Sequence, residues 1–334
     1  MNFSRTLFTW SIALGSSFLS MASSAGAAAE GPLDSEPSAS RLGRLSAPLA
    51  EDKLYKLFKG YDSSNSFEAS GVYALGDYYY VVFDNLQKLG KVHTSLPQNS
   101  SKNTLTSGKS SSSGYEGITY DDYSTPNFYV VTEGESHNGS YAGNIRQYSS
   151  SLSYQSSMWA DFSFASANKG FEGISWLRRG GEDYLLALCE GNFCLSDDEA
   201  DRGNGRLEVL KQTSSGWAWV AEIIIPAAAD FLDYSDIDLD GTRLAIVSQK
   251  SAALWIGELS ATSWEILGEG AAYDLPRGDS SGTVGAGEEV IYCNIEGVSW
   301  ISPSRVVMVS DMAKSGDPAA CLAKDQSIHV FDVP

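Results

Sequence analysis

Five times along this chain a polar residue opens a short strand-like run, the run turns at Gly, Asp or Pro, and an apolar run returns to a polar, mostly acidic residue. The segments are "ASGVYALGDYYYVVFDN", "YEGITYDDYSTPNFYVVTE", "FEGISWLRRGGEDYLLALCE", "YSDIDLDGTRLAIVSQK" and "IEGVSWISPSRVVMVSD". Their openers, Ser70, Glu116, Glu172, Ser235 and Glu296, lie 46, 56, 63 and 61 positions apart. That spacing is the length of one four-stranded repeat. Further strands follow most hairpins, such as "GRLEVLKQ" with "WAWVAEIII" after the third and "AALWIGEL" with "SWEILGEG" after the fourth. The fifth repeat has only "SIHVFDV" left before the chain stops. The stretch "KLYKLFKGY", Lys53 to Tyr61, precedes the first hairpin and is expected to supply the missing outer strand. Pairing the two ends closes the repeats into a ring and removes the exposed sheet edges that invite aggregation. The expected fold is an all-β, five-bladed β-propeller over residues 51–334. Six blades are the alternative if the Ser-rich stretch "SLPQNSSKNTLTSGKSSSSG" hides another.

The chain begins with Arg5, then the apolar "TLFTWSIALGSSFLSM", then small residues. This is the layout of a secretory signal peptide over residues 1–27. Residues 28–50, rich in Ala, Ser and Pro, read as a linker or pro-segment. No later segment has the roughly 20 apolar residues of a spanning helix, so a secreted extracellular protein without membrane contact is expected. Four cysteines in an exported chain suit two disulfides. Four cysteines allow three pairings, which the sequence does not choose among; Cys189 and Cys194 are close enough to pin one loop, and Cys293 and Cys321 would then form the second bridge. Asn99 and Asn138 stand in glycan acceptor triplets. The sequence holds 23 basic and 42 acidic residues. Nucleic acid is therefore a poor partner, since phosphate binding rests on clustered Lys and Arg. A field this negative favours cations, neutral sugars or basic partners.

In a blade the innermost strand is followed by an antiparallel neighbour, so the start of the first and the end of the second lie at one end of the propeller axis. The five openers are therefore expected to ring the axial channel, with Asp84, Glu133, Glu190 and Asp311 just outside them. Three glutamates converging on an axis repel one another and are costly to desolvate unless a cation neutralises them. Carboxylate and hydroxyl oxygens are hard ligands that suit Ca²⁺.

The order Ser, Glu, Glu, Ser, Glu at the starts of five innermost strands resembles the central calcium site of five-bladed calcium-activated nucleotidases (apyrases). The repeated "EGI" openers are also similar to those of phytase-like esterase propellers. Both likenesses run from about Lys53 to the end of the chain. The resemblance implies that Ser70, Glu116, Glu172, Ser235 and Glu296 are the protein ligands of a single axial Ca²⁺.

Other signals carry less. "DIDLDG" begins like an EF-hand loop, but Val247 stands where a bidentate Glu is needed, and Asp240-Gly241 reads as a tight hairpin turn. "SGTVGAGEE" lacks the ending of a phosphate loop. No Gly-x-Ser-x-Gly elbow occurs. Trp176, Trp255 and Trp300 fall in strands and are expected to pack between blades rather than to stack on sugars. The connections leaving the second strands are long, which gathers loops, disulfides and acids at one mouth.

Two functions follow, with a glycosidase as a third possibility because paired carboxylates about 5 to 9.5 Å apart would suit it, although no motif selects the pair. The first is a calcium-dependent hydrolase of an ester or phosphoester, in which the metal or one of Asp84, Glu133, Glu190 and Asp311 activates water. Arg202, Lys250, Arg277 and Lys314 are then placed to hold an anionic substrate. The second is a non-catalytic extracellular module that binds a small molecule, glycan or protein, with calcium purely structural. In either case a monomer is expected.

Overall fold

The computed structural model describes residues 41–123, 125–167, 169–191, 194 and 205–334. The expected leader and most of the expected linker, with Arg202, lie outside the described residues. The chain runs through β1 (Arg41–Arg44), β2 (Ala50–Lys53), the single-turn α1 (Leu54–Leu57), β3 (Ala69–Leu75), β4 (Tyr78–Phe83), β5 (Lys88–His93) and β6 (Thr104–Ser107). It continues with β7 (Tyr115–Asp121), β8 (Asn127–Thr132), β9 (Glu135–His137), β10 (Ser140–Ser149), β11 (Tyr154–Phe164), β12 (Phe171–Arg179), β13 (Glu182–Cys189), β14 (Arg206–Gln212) and β15 (Trp217–Ile224). Last come β16 (Asp236–Asp240), β17 (Arg243–Ser248), β18 (Ala253–Glu258), β19 (Ala271–Asp274), β20 (Arg277–Gly278), β21 (Glu289–Val290), β22 (Ile295–Ser302), β23 (Arg305–Ser310), the single-turn α2 (Ala319–Leu322) and β24 (Ser327–Asp332).

The strands form antiparallel meanders, β3-β4-β5-β6, β7-β8-β10-β11, β12-β13-β14-β15, β16-β17-β18-β19 and β22-β23-β24, each beginning with one of the five repeat hairpins. The five leading strands contact one another in sequence, and β22 returns to β3, so they close around an axis. This is a β-propeller. Between each pair of neighbouring sheets lies one apolar core: Val82, Ile118 and Phe128 belong to one, for example, and Leu188, Ile237 and Trp255 to another. Because each sheet is covered on both faces, the second strands "YYYVVF" and "LAIVS" read as continuous apolar runs rather than alternating ones.

The repeated glycine has a steric origin. A Cβ on Gly117 would stand 2.7 Å from the Ile174 nitrogen and 2.8 Å from the Gly173 Cα. Gly71, Gly173 and Gly297 press on their neighbours' backbones in the same way. At this level the leading strands approach too closely for side chains. The fourth repeat has Asp236 instead, fully enclosed, with its carboxylate accepting the Val298 N–H at 2.8 Å and its other oxygen standing over Gly173. Two residues further on, a ring of side chains links strand to strand. Ser299 Oγ accepts from the Ala74 N–H (3.0 Å), Thr119 Oγ1 from Trp176 (2.9 Å), Ser175 Oγ from Leu239 (3.0 Å) and Asp238 Oδ2 from Trp300 (2.8 Å). The fifth equivalent position is Tyr73, whose ring packs against Tyr120 instead.

Several expectations need correction. The strand that completes the last sheet is β2, paired antiparallel with β24 from Ala50↔Val330 to Lys53↔Ser327, and not Lys53 to Tyr61. Leu54, Leu57 and Phe58 recur at helical spacing, and α1 turns them into the core between the last sheet and the first. The chain ends are thus joined as expected, one segment earlier. Ion pairs from Lys53 to Asp325 (2.5 Å) and from Glu51 to Lys324 hold the seam, and His329 Nδ1 hydrogen-bonds Glu51 at 3.1 Å. Part of the expected linker is strand, since β1 adds in parallel to β19 at the outer edge of the fourth sheet. "SWEILGEG" forms no fourth strand; Trp264 packs on Tyr184 at 5.0 Å, and β19 takes its place. The Ser-rich stretch contributes only β6. Both disulfides pair as expected, Cys189 with Cys194 and Cys293 with Cys321, a chemistry that persists in oxidising compartments. Asn99 and Asn138 are exposed. Among the described residues no helix is long and apolar enough to cross a membrane.

The glycine contact sets a prediction. Gly117→Ala should destabilise the protein by about 1–3 kcal/mol, as overpacking against an unyielding backbone does. Gly43→Ala, where a Cβ meets nothing within 4 Å, should change stability by less than about 0.5 kcal/mol. Urea unfolding midpoints of the two variants measure the difference.

Candidate functional site

The carboxylates displaced from the crowded glycine level collect above it. Ser70, Glu116, Glu172, Ser235 and Glu296, the five openers, and Asp84, Glu133, Glu190 and Asp311, from the ends of the second strands, all line one axial cavity of about 180 Å³. All nine residues singled out in the sequence are therefore brought together. Glu116 is buried, while Glu172 and Glu296 are half-buried, less enclosed than three converging glutamates were expected to be. The convergence is close: a Cβ on Gly114 would fall within 2.8 Å of both an Asp84 oxygen and a Glu116 oxygen.

The wall also holds residues that the acidic pattern passed over. Gln249 occupies in the fourth repeat the position taken by Asp84, Glu133, Glu190 and Asp311 in the others. Its Nε2 donates to Glu296 Oε1 at 2.6 Å and its backbone N–H to Ser235 Oγ at 3.0 Å. The aligned "IVSQ" carries this signal in the sequence, with a neutral amide where the other repeats have an acid. Glu68 and Asp233, each two residues ahead of a serine opener, also line the cavity. Asp233 accepts the Lys250 N–H. Of the basic residues expected to face this mouth, Lys314 does. Arg277 lies in β20, paired with β21, and is not among the residues lining the cavity. Lys169, not foreseen, pairs with Glu190 at 3.0 Å.

Burial and mutual repulsion govern the electrostatics. Glu133 is pushed up to about 7 by burial and then by Asp84 and Glu190, with Lys169 partly offsetting them. Asp311 is likewise raised to about 7, first by burial, against the Met312 N–H that lowers it. Burial, then the surrounding carboxylates, holds Glu116, Glu172 and Glu296 well above the ordinary range. Ser70 Oγ is buried without a hydrogen-bond partner. This collection of oxygen donors, short of compensating positive charge and with an orphaned hydroxyl, is chemically suited to a hard cation. Among the described residues no three Asp, Glu, His or Cys side chains stand close enough to grip a metal directly, so water would have to complete any such shell.

No protein-family model matches the chain, and no curated protein matches it in sequence. Among solved structures it is similar to the glutaminyl cyclase of Myxococcus xanthus, with 12% identity and a TM-score of 0.48 over 88% of this chain and 99% of that one. It is similar to the GH43 protein BlXynB of Bacillus licheniformis, with 10% identity and a TM-score of 0.45 over 78% of this chain and 50% of that one. A third likeness, with 7% identity and a TM-score of 0.45 over 86% of this chain and 90% of that one, is to a structure from the GH130 family of mannoside phosphorylases. Scores this low carry no chemistry across, and the propeller assignment rests on the strand order itself.

Raised carboxyl pKa values fix the sign of a pH effect. Glu133 and Asp311 move from ordinary values of 4.5 and 3.8 to about 7 on folding, so the folded state binds more protons between those limits. Stability is then fully present below about pH 4 and lost as pH rises through about 7. In chelator, the melting temperature should fall by several degrees between pH 5 and pH 8, as followed by calorimetry.

Proposed function

We propose that the axial cavity holds one divalent cation, calcium by the hardness of its donors, and that the protein is a secreted hydrolase of an ester or phosphoester that depends on this ion. The observation that carries the reading is the gathering of nine oxygen-bearing side chains from five separate repeats into a single cavity of about 180 Å³. Ser70, Glu116, Glu172, Ser235 and Glu296 would hold the ion, and the resemblance of their order to the calcium site of calcium-activated nucleotidases supports that set. When bound, the ion would polarise the substrate oxygen or lower the pKa of a water. Glu133 and Asp311, with pKa values near 7, suit proton transfer at neutral pH. Lys314 at the rim suits an anionic oxygen. The two disulfides and the leader-like start support export.

One observation favours the second reading, a binding module with structural calcium. The cavity is smaller than the roughly 300–1,000 Å³ of ordinary ligand pockets, so it accommodates an ion more readily than a substrate, which would have to sit at the rim.

Calcium titration tests both readings, and a turnover screen separates them. A ligand that binds only the folded state stabilises it by roughly 2.7 kcal/mol at a hundredfold excess over Kd, so Ca²⁺ should raise the melting temperature and Glu172→Gln should weaken the response. A screen of phosphoesters, nucleotides and sugar esters should show turnover that is lost in chelator and in Glu133→Gln. Calcium binding without turnover would leave the structural role. No calorimetric binding, with no effect of chelator on melting, would remove both.

A further inference from the structure

A second cavity lies at the other end of the axis, below the linking ring. It measures about 630 Å³, within the usual range for small-molecule sites. It is built where the ring changes character. At four of the five seams a small polar side chain bridges to the next strand, but at the fifth Tyr73 turns its ring toward Tyr120, 6.1 Å between centroids, and both tyrosines line the cavity. Tyr123 and Trp176 add two further aromatic walls, and Asp238 and Asp240 add carboxylates.

The electrostatics narrow the ligand class. Two guanidinium groups reach the cavity, but both are already engaged. Arg178 pairs with Asp183 at 2.6 Å and lies 3.8 Å over the Tyr123 ring. Arg179 donates to the Ser260 and Ser263 carbonyls and stacks 3.9 Å over Trp264. The carboxylates of Asp122, Asp238 and Asp240 oppose an anion, and the guanidinium groups oppose a cation. What remains are aromatic faces beside acceptors. Aromatic faces pack against the C–H faces of a pyranose ring while carboxylates and N–H groups take its hydroxyls.

We propose that this cavity is a binding site for a neutral saccharide of about two sugar rings, walled by Tyr73, Tyr120, Tyr123 and Trp176. It is separated from the acidic cavity by the glycine level and the Asp236 side chain, and binding there requires no cation.

The test uses the full-length protein in chelator, so that failure of the calcium reading cannot affect it. Maltose, cellobiose and mannobiose are titrated at up to roughly 10 mM, where a Kd of about 1 mM is close to saturated, with saturation-transfer NMR and intrinsic tryptophan fluorescence as readouts. At least one disaccharide should bind and glucose 6-phosphate should bind more weakly. Tyr123→Ala, at an exposed position, should lower affinity about tenfold with an unchanged melting temperature, and Trp176→Phe should remove the fluorescence response. No binding by any disaccharide overturns the proposal, as do tighter binding of glucose 6-phosphate and unaltered affinity in both variants.

Discussion

Everything at the centre of this molecule follows from how closely five strands approach one axis. Where Gly117 meets the backbone of Ile174 there is no room for a Cβ, so polar side chains are excluded from that level and displaced to either side of it. The openers one residue before the glycines are lifted into the upper cavity. The side chains two residues after them form the linking ring, which satisfies backbone donors that point across the seams. Asp236 is the exception that occupies the crowded level, and its fully buried carboxyl is held well above the ordinary pKa range by burial.

Gathering acids on an axis works against folding, and other parts of the chain counter it. Each neighbouring pair of sheets encloses its own apolar core, so hydrophobic burial is distributed around the ring. The seam where the chain ends meet combines strand pairing, the apolar face of α1 and the ion pairs of Glu51 and Lys53. There Glu51 is lowered to about 2, its burial outweighed by His329 and Lys324, the opposite of the axial glutamates. The difference is one of partners: Glu51 faces the Lys324 ammonium and the His329 ring, whereas Glu116 faces other carboxylates.

The two mouths consequently have different chemistry. The upper one is narrow, lined by oxygen donors and short of positive charge, which favours a small hard ion. The lower one is more than three times larger by volume, with aromatic walls and balanced charge. Tyr73 marks the change, since at its position a small polar residue would have completed the ring and left less aromatic wall.

The repeat and the side-chain alternation within strands were legible in the sequence because both are local. Spacing alone places Ser70, Glu116, Glu172, Ser235 and Glu296 at one height, and hairpin geometry places Asp84, Glu133, Glu190 and Asp311 beside them. The meeting of the chain ends follows from the same regularity. What the sequence could not show depends on contacts between repeats. The reason for the glycines, the lodging of Asp236 among them, the use of Gln249 in place of an acid and the cavity beneath Tyr73 all arise from the distance between neighbouring leading strands. That distance is decided by packing across residues some 60 positions apart, and no local pattern encodes it.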